Sequence, residues 1–171
     1  MLVIAETGRG LINNHADGRR GDYGMVVSVF IQNEAGSNQK NYHDEKTLEF
    51  KFAKTVSRAY PYPYGFIIGT NAGDGCNVDC FVITKRPLRM GQTFECEAVA
   101  LMEQIEDGKV DHNVLAKLPK ENIELTTEIQ TVLTGFVLNV FQHVAGKQIS
   151  VGRFLGAEHA RAHVMESLER A

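Results

Sequence analysis

The sequence predicts an α+β domain, mainly β, built as a small closed barrel with two flanking helices near the C-terminus. Two observations lead there. Short β-branched or alternating runs separated by turn residues fill the chain to about residue 118, which is the spacing of a small barrel. Beyond residue 123, apolar residues recur three and four apart, as on one face of a helix. Strands first and helices last is the α+β order, and 171 residues suit one domain with a genuine core.

Residues 1–24 are expected to form a flexible arm, because Gly8, Gly10, Gly18, Gly21 and Gly24 sit among Asn, Asp and Arg with no apolar period. The single domain then runs over 25–171. Met25–Ile31 is a β-branched run and reads as the first strand. Asn33–Asp44 is a polar Gly/Ser/Asn stretch. Leu48–Phe52 alternates and reads as a half-buried strand. Further strands are expected at Gly65–Thr70, Asp79–Thr84, Thr93–Leu101, Val114–Leu118 and Gln148–Val151. Between Ile123 and Val144, Ile129, Val132, Leu133, Phe136, Val137, Val140, Phe141 and Val144 define a helix with one buried face. Gly135 inside it costs stability that packing must offset. The last helix is expected over Ala157–Arg170, with Ala157, Ala160, Val164 and Leu168 on one side.

Composition narrows the class. Hydrophobic residues make up 43% and charged residues 23%, ordinary for a soluble globular protein. The net charge of −3 lacks the basic excess of a nucleic-acid binder. Met1–Ala5 is too short an apolar run for a secretory leader, and no run is long enough to span a bilayer, so a cytoplasmic protein is expected. Three cysteines, Cys76, Cys80 and Cys96, read as reduced thiols. Cys76 and Cys80 are spaced to start a zinc site, but that site needs a second Cys or His pair.

The chemistry-bearing residues gather in two acidic turns. Asp74-Gly75-Cys76-Asn77-Val78-Asp79 follows the aromatic run Tyr60-Pro61-Tyr62-Pro63-Tyr64-Gly65, and Glu106-Asp107-Gly108-Lys109-Val110-Asp111 lies further on. Each places two carboxylates five residues apart across a glycine. Facing turns of this kind can hold a hard cation such as Mg²⁺, which takes one or two carboxylates together with substrate phosphates. The same residues also make ordinary hairpin turns for backbone reasons alone. Tyr64 can donate its hydroxyl to a phosphate, and Lys40, Lys51 and Lys54 can neutralise one; Tyr60 and Tyr62 read as packing residues. His159 and His163 are four apart on the last helix, where such residues usually face solvent. His112 adjoins Asp111.

Tyr60-Pro61-Tyr62-Pro63-Tyr64-Gly65-Phe66-Ile67, then Thr70, then Asp74 to Asp79, resembles the signature of the soluble family I inorganic pyrophosphatases. Pro87-Leu88, Gly91 and the second acidic segment Glu106 to Asp111 extend the resemblance, which is good from about Phe52 to Pro119. It implies a five-stranded OB-like closed barrel, a homo-oligomer (a hexamer among the options), and Mg²⁺-dependent hydrolysis of pyrophosphate to two phosphates. It assigns Asp74, Asp79, Glu106 and Asp111 to metal positions. Tyr64 and Lys40 fall at phosphate-contacting positions, and Cys76 at that of the general base.

The chain departs from the family pattern at the catalytic and phosphate-clamping positions. Cys76 replaces an Asp, Asn113 replaces a phosphate-binding Lys, and Phe52 lies near the position of an Arg, with Lys51 and Lys54 as nearby substitutes. Val144 stands where a Tyr-Lys pair begins, and Gln32 comes nearest to a missing Glu. Two functions therefore follow: a divergent pyrophosphatase of reduced rate, or a catalytically silent relative that binds a phosphorylated ligand or a partner protein. A related hydrolase acting on another phosphoanhydride is a third.

Overall fold

The computed structural model describes residues 24–169; the expected arm at 1–24 lies outside them but for Gly24. Nine strands and two helices follow in order. These are β1 (Met25–Asn33), β2 (Gln39–His43), β3 (Phe50–Thr55), β4 (Tyr64–Ile67), β5 (Asp79–Val82), β6 (Thr93–Glu106), β7 (Lys109–Val110), β8 (Asn113–Lys117), α1 (Thr127–Asn139), β9 (Ile149–Gly156) and α2 (Ala157–Ser167).

Five strands close the barrel in the order β1-β4-β5-β8-β6, and β6 returns to β1. All pairs are antiparallel except β5 with β8. Strand β6 is 14 residues long and changes partners along its length. Its first half pairs with β1 and its second half with β9, and register shifts near Ala98–Ala100 and Met102–Gln104 accompany the bend.

Alternation along the strands feeds two cores. Val27, Val29, Ile31, Cys80, Val82, Val114 and Ala116 pack with Ala160 and Val164 of α2. On the opposite faces, Tyr64, Phe81, Met102 and Leu115 pack with Leu133, Phe136 and Val137 of α1. Gly65 lets two strands approach closely. A Cβ there would lie 1.7 Å from the Phe30 carbonyl oxygen, which belongs to the backbone and cannot yield. Gly65→Ala is therefore expected to destabilise the fold by about 3 kcal/mol, readable as a lowered urea midpoint; an unchanged midpoint would refute this account of the contact.

Several expected boundaries move. The polar stretch 33–44, where no strand is expected, contains β2, which pairs with β3 in a two-stranded ribbon separate from the barrel. Strand β3 begins at Phe50 and is not half-buried: Phe50 and Phe52 are 53% and 46% exposed. Its alternation reflects a solvated ribbon in which Phe52 stacks on Tyr42. Helix α1 is shorter than the apolar period. Thr126 caps its start by accepting from the Ile129 N–H, and the Asn139 side chain bonds back to the Gly135 carbonyl at its end. The residues after Val140 turn instead, with Gly146 at a φ of +79°. Helix α2 stops at Ser167 because Leu168 is extended and bridges Thr70.

Candidate active site

The mouth of the barrel opens into a cavity of ≈ 460 Å³ between the β2–β3 ribbon, the acidic loop after β4 and the turns after α1. Asp79 enters from the first residue of β5 and Tyr64 from the first of β4. Glu106 ends β6, and Asp111 follows the short β6–β7 hairpin. That hairpin turns at Asp107 and Gly108, both at positive φ (49° and 79°), which suits a tight Asp-Gly connection. It folds Asp111 back so that its N–H donates to the Gln104 carbonyl at 2.9 Å.

Three carboxyls meet here. Asp111 hydrogen-bonds both Asp79 and Glu106. Burial, together with the charges of Asp79 and Glu106, pushes Asp111 up to about 8. Burial raises Asp79 to about 6, opposed by Lys40 and by a hydrogen bond from the Tyr64 hydroxyl. Burial also acts upward on Glu106, but the hydrogen bond from Asp111 and the Lys147 ammonium outweigh it and hold Glu106 below its ordinary value. Near neutral pH, Asp111 thus carries a proton between two acceptors. Gln104 steadies the group, reaching Asp111 Oδ2 at 3.4 Å and accepting from Asn113 Nδ2 at 2.6 Å.

Among the described residues, no three Asp, Glu, His or Cys side chains stand as a ready coordination shell. The donor chemistry nevertheless fits a hard divalent cation. Asp79, Glu106 and Asp111 offer only oxygens, and they are close enough that a proton and a lysine now balance their charge. Asp74 also lines the cavity, but it is exposed, and its Oδ1 accepts the Cys76 N–H at 2.9 Å.

The structure brings Lys40, Lys54, Tyr64, Cys76 and Asn113 to the cavity with these acids, and leaves Lys51 outside its lining. Strand alternation explains the split, because Lys51 and Lys54 occupy opposite faces of β3. Lys40 lies over the rings of Tyr42, Tyr64 and Phe141. Lys54 lies over Tyr42 and Phe52. Tyr60 is buried against Phe136. Asn113 is buried, with its amide committed to Gln104. His163 packs on His112, their ring centroids 5.6 Å apart. Cys80 and Cys96 are buried, and among the described residues no His/Cys group joins them as a zinc site.

Two charged groups of the cavity escaped the sequence. Glu45, on the turn after β2, reaches the acidic loop. Its Oε1 accepts the Asn77 N–H at 3.0 Å, which sets its carboxyl beside the Cys76 thiol. Burial, then Glu45 and Asp74, push that thiol up to about 11, so Cys76 is uncharged at neutral pH. Lys147 is the second. The Tyr-Lys pair sought near Val144 is absent, yet the turns after α1 bring this later lysine into the cavity, 2.5 Å from Glu106 and 3.5 Å from Asp107. No local motif marks either residue; only the placement of the turns does.

The raised carboxyls dictate a pH response. Asp79 and Asp111 have folded values above their unfolded ones, so the folded state holds extra protons between about pH 4 and pH 8. Their contribution to stability is whole below the unfolded value and is lost as pH rises through about 6 and about 8. In chelator, the urea midpoint is expected to fall from pH 5 to pH 8. A divalent cation should flatten that slope, and a flat profile in chelator would contradict the carboxyl cluster.

Known proteins resemble this chain in sequence and fold. The family model described as inorganic pyrophosphatase matches residues 29–171. The inorganic pyrophosphatase of Escherichia coli strain K12 is 31% identical over 158 residues, covering 85% of this chain and 90% of its own. That of Nanoarchaeum equitans is 28% identical over 155 residues, covering 85% and 97%. In fold, the chain is similar to an inorganic pyrophosphatase from Neisseria gonorrhoeae, with TM-score 0.78 and 24% identity over 84% of this chain and 90% of that one. The Thermus thermophilus enzyme is comparable, with TM-score 0.77 and 23% identity over 88% and 92%. With the family model spanning the barrel, the acidic cluster and both helices, this chain belongs to the inorganic pyrophosphatase family.

Proposed function

We propose that the protein hydrolyses inorganic pyrophosphate to two phosphates, with residues 25–171 acting as one catalytic unit. The observation that carries this reading is one cavity in which Asp79, Glu106 and Asp111 face Lys40, Lys54 and Lys147. Acids that fit divalent cations stand opposite ammoniums that suit a polyanion, so a small, highly charged phosphate ester or anhydride matches both sides.

Asp79, Glu106 and Asp111, with Asp74 at the rim, would hold Mg²⁺. The metal supplies charge neutralisation of the phosphoryl oxygens and acidification of a water. The chain's own residues bind and orient. Lys40, fixed over the Tyr64 and Phe141 rings, and Lys54 offer positive charge to the phosphates. Tyr64 keeps its proton and donates it to Asp79, orienting that carboxylate. Cys76 is uncharged and accepts no proton efficiently. The Glu45 carboxylate beside it is placed to receive one.

A phosphate-release assay with pyrophosphate and Mg²⁺ tests the reading. Release well above a metal-only blank is expected; its absence, with metal binding intact, would leave a silent binding protein. No helix among the described residues is long and apolar enough to cross a membrane. The reading includes a cytoplasmic enzyme that self-associates, for which sedimentation should give a mass above the 19.0 kDa chain.

A further inference from the structure

Lys147 occupies an unusual position. Its ammonium sits 2.5 Å from Glu106 and 3.5 Å from Asp107 and lies 5.0 Å from the centre of the Phe141 ring. Lys40 lies 5.6 Å from the centre of that same ring. One aromatic ring therefore gathers two ammoniums at the edge of the cavity. An ammonium and a divalent cation compete for the same Glu106 oxygens. Two ammoniums on one ring repel each other unless an anion lies between them. Lysine has the flexible four-carbon stem such an exchange requires, and Lys147 follows Gly146, whose φ of +79° shapes the turn that delivers it.

We infer that Lys147 is a tethered counter-cation: it neutralises Glu106 and Asp107 in the metal-free protein, and when a divalent cation takes Glu106 it shifts along the Phe141 ring to join Lys40 on the substrate's phosphate. The inference rests on the pyrophosphatase reading for its second half and on the ion pair alone for its first. It differs from a purely structural ion pair in one respect. A structural pair would hold the turn and influence metal and substrate in the same direction, whereas a competing cation influences them oppositely.

Lys147→Met and Lys147→Arg, titrated with Mg²⁺ by calorimetry in the absence of pyrophosphate and then assayed at saturating metal, provide the test. Lys147→Met is expected to bind Mg²⁺ about 3–10-fold more tightly, because the competing charge is gone, while its KM for pyrophosphate rises about tenfold. Lys147→Arg, which keeps the charge, should retain the wild-type metal affinity and shows that the turn folds. Unchanged or weakened metal binding in Lys147→Met overturns the inference, as does an unchanged KM in an active enzyme. If the wild type fails to hydrolyse pyrophosphate but Lys147→Met still binds metal more tightly, the functional reading falls and the counter-cation role stands.

Discussion

Asp111→Asn is expected to raise the stability of the metal-free protein while reducing kcat/KM by about 10³-fold or more. Asp111 is the carboxyl pressed hardest by its neighbours, raised to about 8 by burial and by Asp79 and Glu106. At pH 7 the folded state therefore bears a penalty on the order of a few kcal/mol relative to an unperturbed aspartate. An amide keeps the shape and can donate to Glu106 or Asp79, but it needs no added proton. Relief of that penalty should appear as a higher melting temperature in chelator, by roughly 5–10 °C for a chain of this size. On the proposed reading, the same change removes an oxygen that would hold the cation and whose charge would draw it. The several kcal/mol of transition-state stabilisation that a metal supplies then go with it. Stability and activity moving in opposite directions mark a site that accepts strain for function. If both fall together, Asp111 is a structural residue and the cluster has been misread.

Cys76→Asp is expected to raise kcat about tenfold or more. The thiol, pushed up to about 11, is a poor proton acceptor, and a positioned base contributes about 10²–10⁴ in rate. The expected gain lies below that range because Glu45 already places a carboxylate against position 76. The gain should come with a steeper requirement for metal, since the new carboxylate joins Glu45, Asp74 and Asp79. An unchanged kcat would mean that Glu45 alone suffices or that position 76 takes no part. Phosphate release measured across a Mg²⁺ series separates the rate gain from the metal requirement.

Much of the candidate site's lining was legible beforehand. Asp74, Asp79, Glu106 and Asp111 stand out because acidic residues flank glycine-bearing turns at a repeated separation, and Tyr64 because it closes an aromatic-proline run. The barrel was legible from β-branched strands, and the helices from apolar spacing. The β2 strand was not, because Gln39–His43 carries polar residues on a ribbon that buries little, so its hydrogen-bonded partner β3 defines it rather than an apolar pattern. Val140 and Phe141 continue the helical period, yet their side chains pack from turns, and Val144, at the end of that period, is exposed. Periodicity misplaced Val132 and Val144, which are exposed, and it does not specify the backbone that carries the buried residues.

The sequence by itself determined the barrel with its trailing helices and the two acidic turns, because strand alternation and turn chemistry are local properties; that Cys76 stands in place of a carboxylate is implied only by the family resemblance. Only the tertiary structure decided the charge balance of the site. It carried Glu45 from a turn 31 residues away to the Cys76 thiol, and drew Lys147 across to Glu106. It also set Asp111 between two acids and left Lys51 outside the cavity. Electrostatic partnership depends on distance and burial in space, and a linear chain specifies neither until the barrel closes.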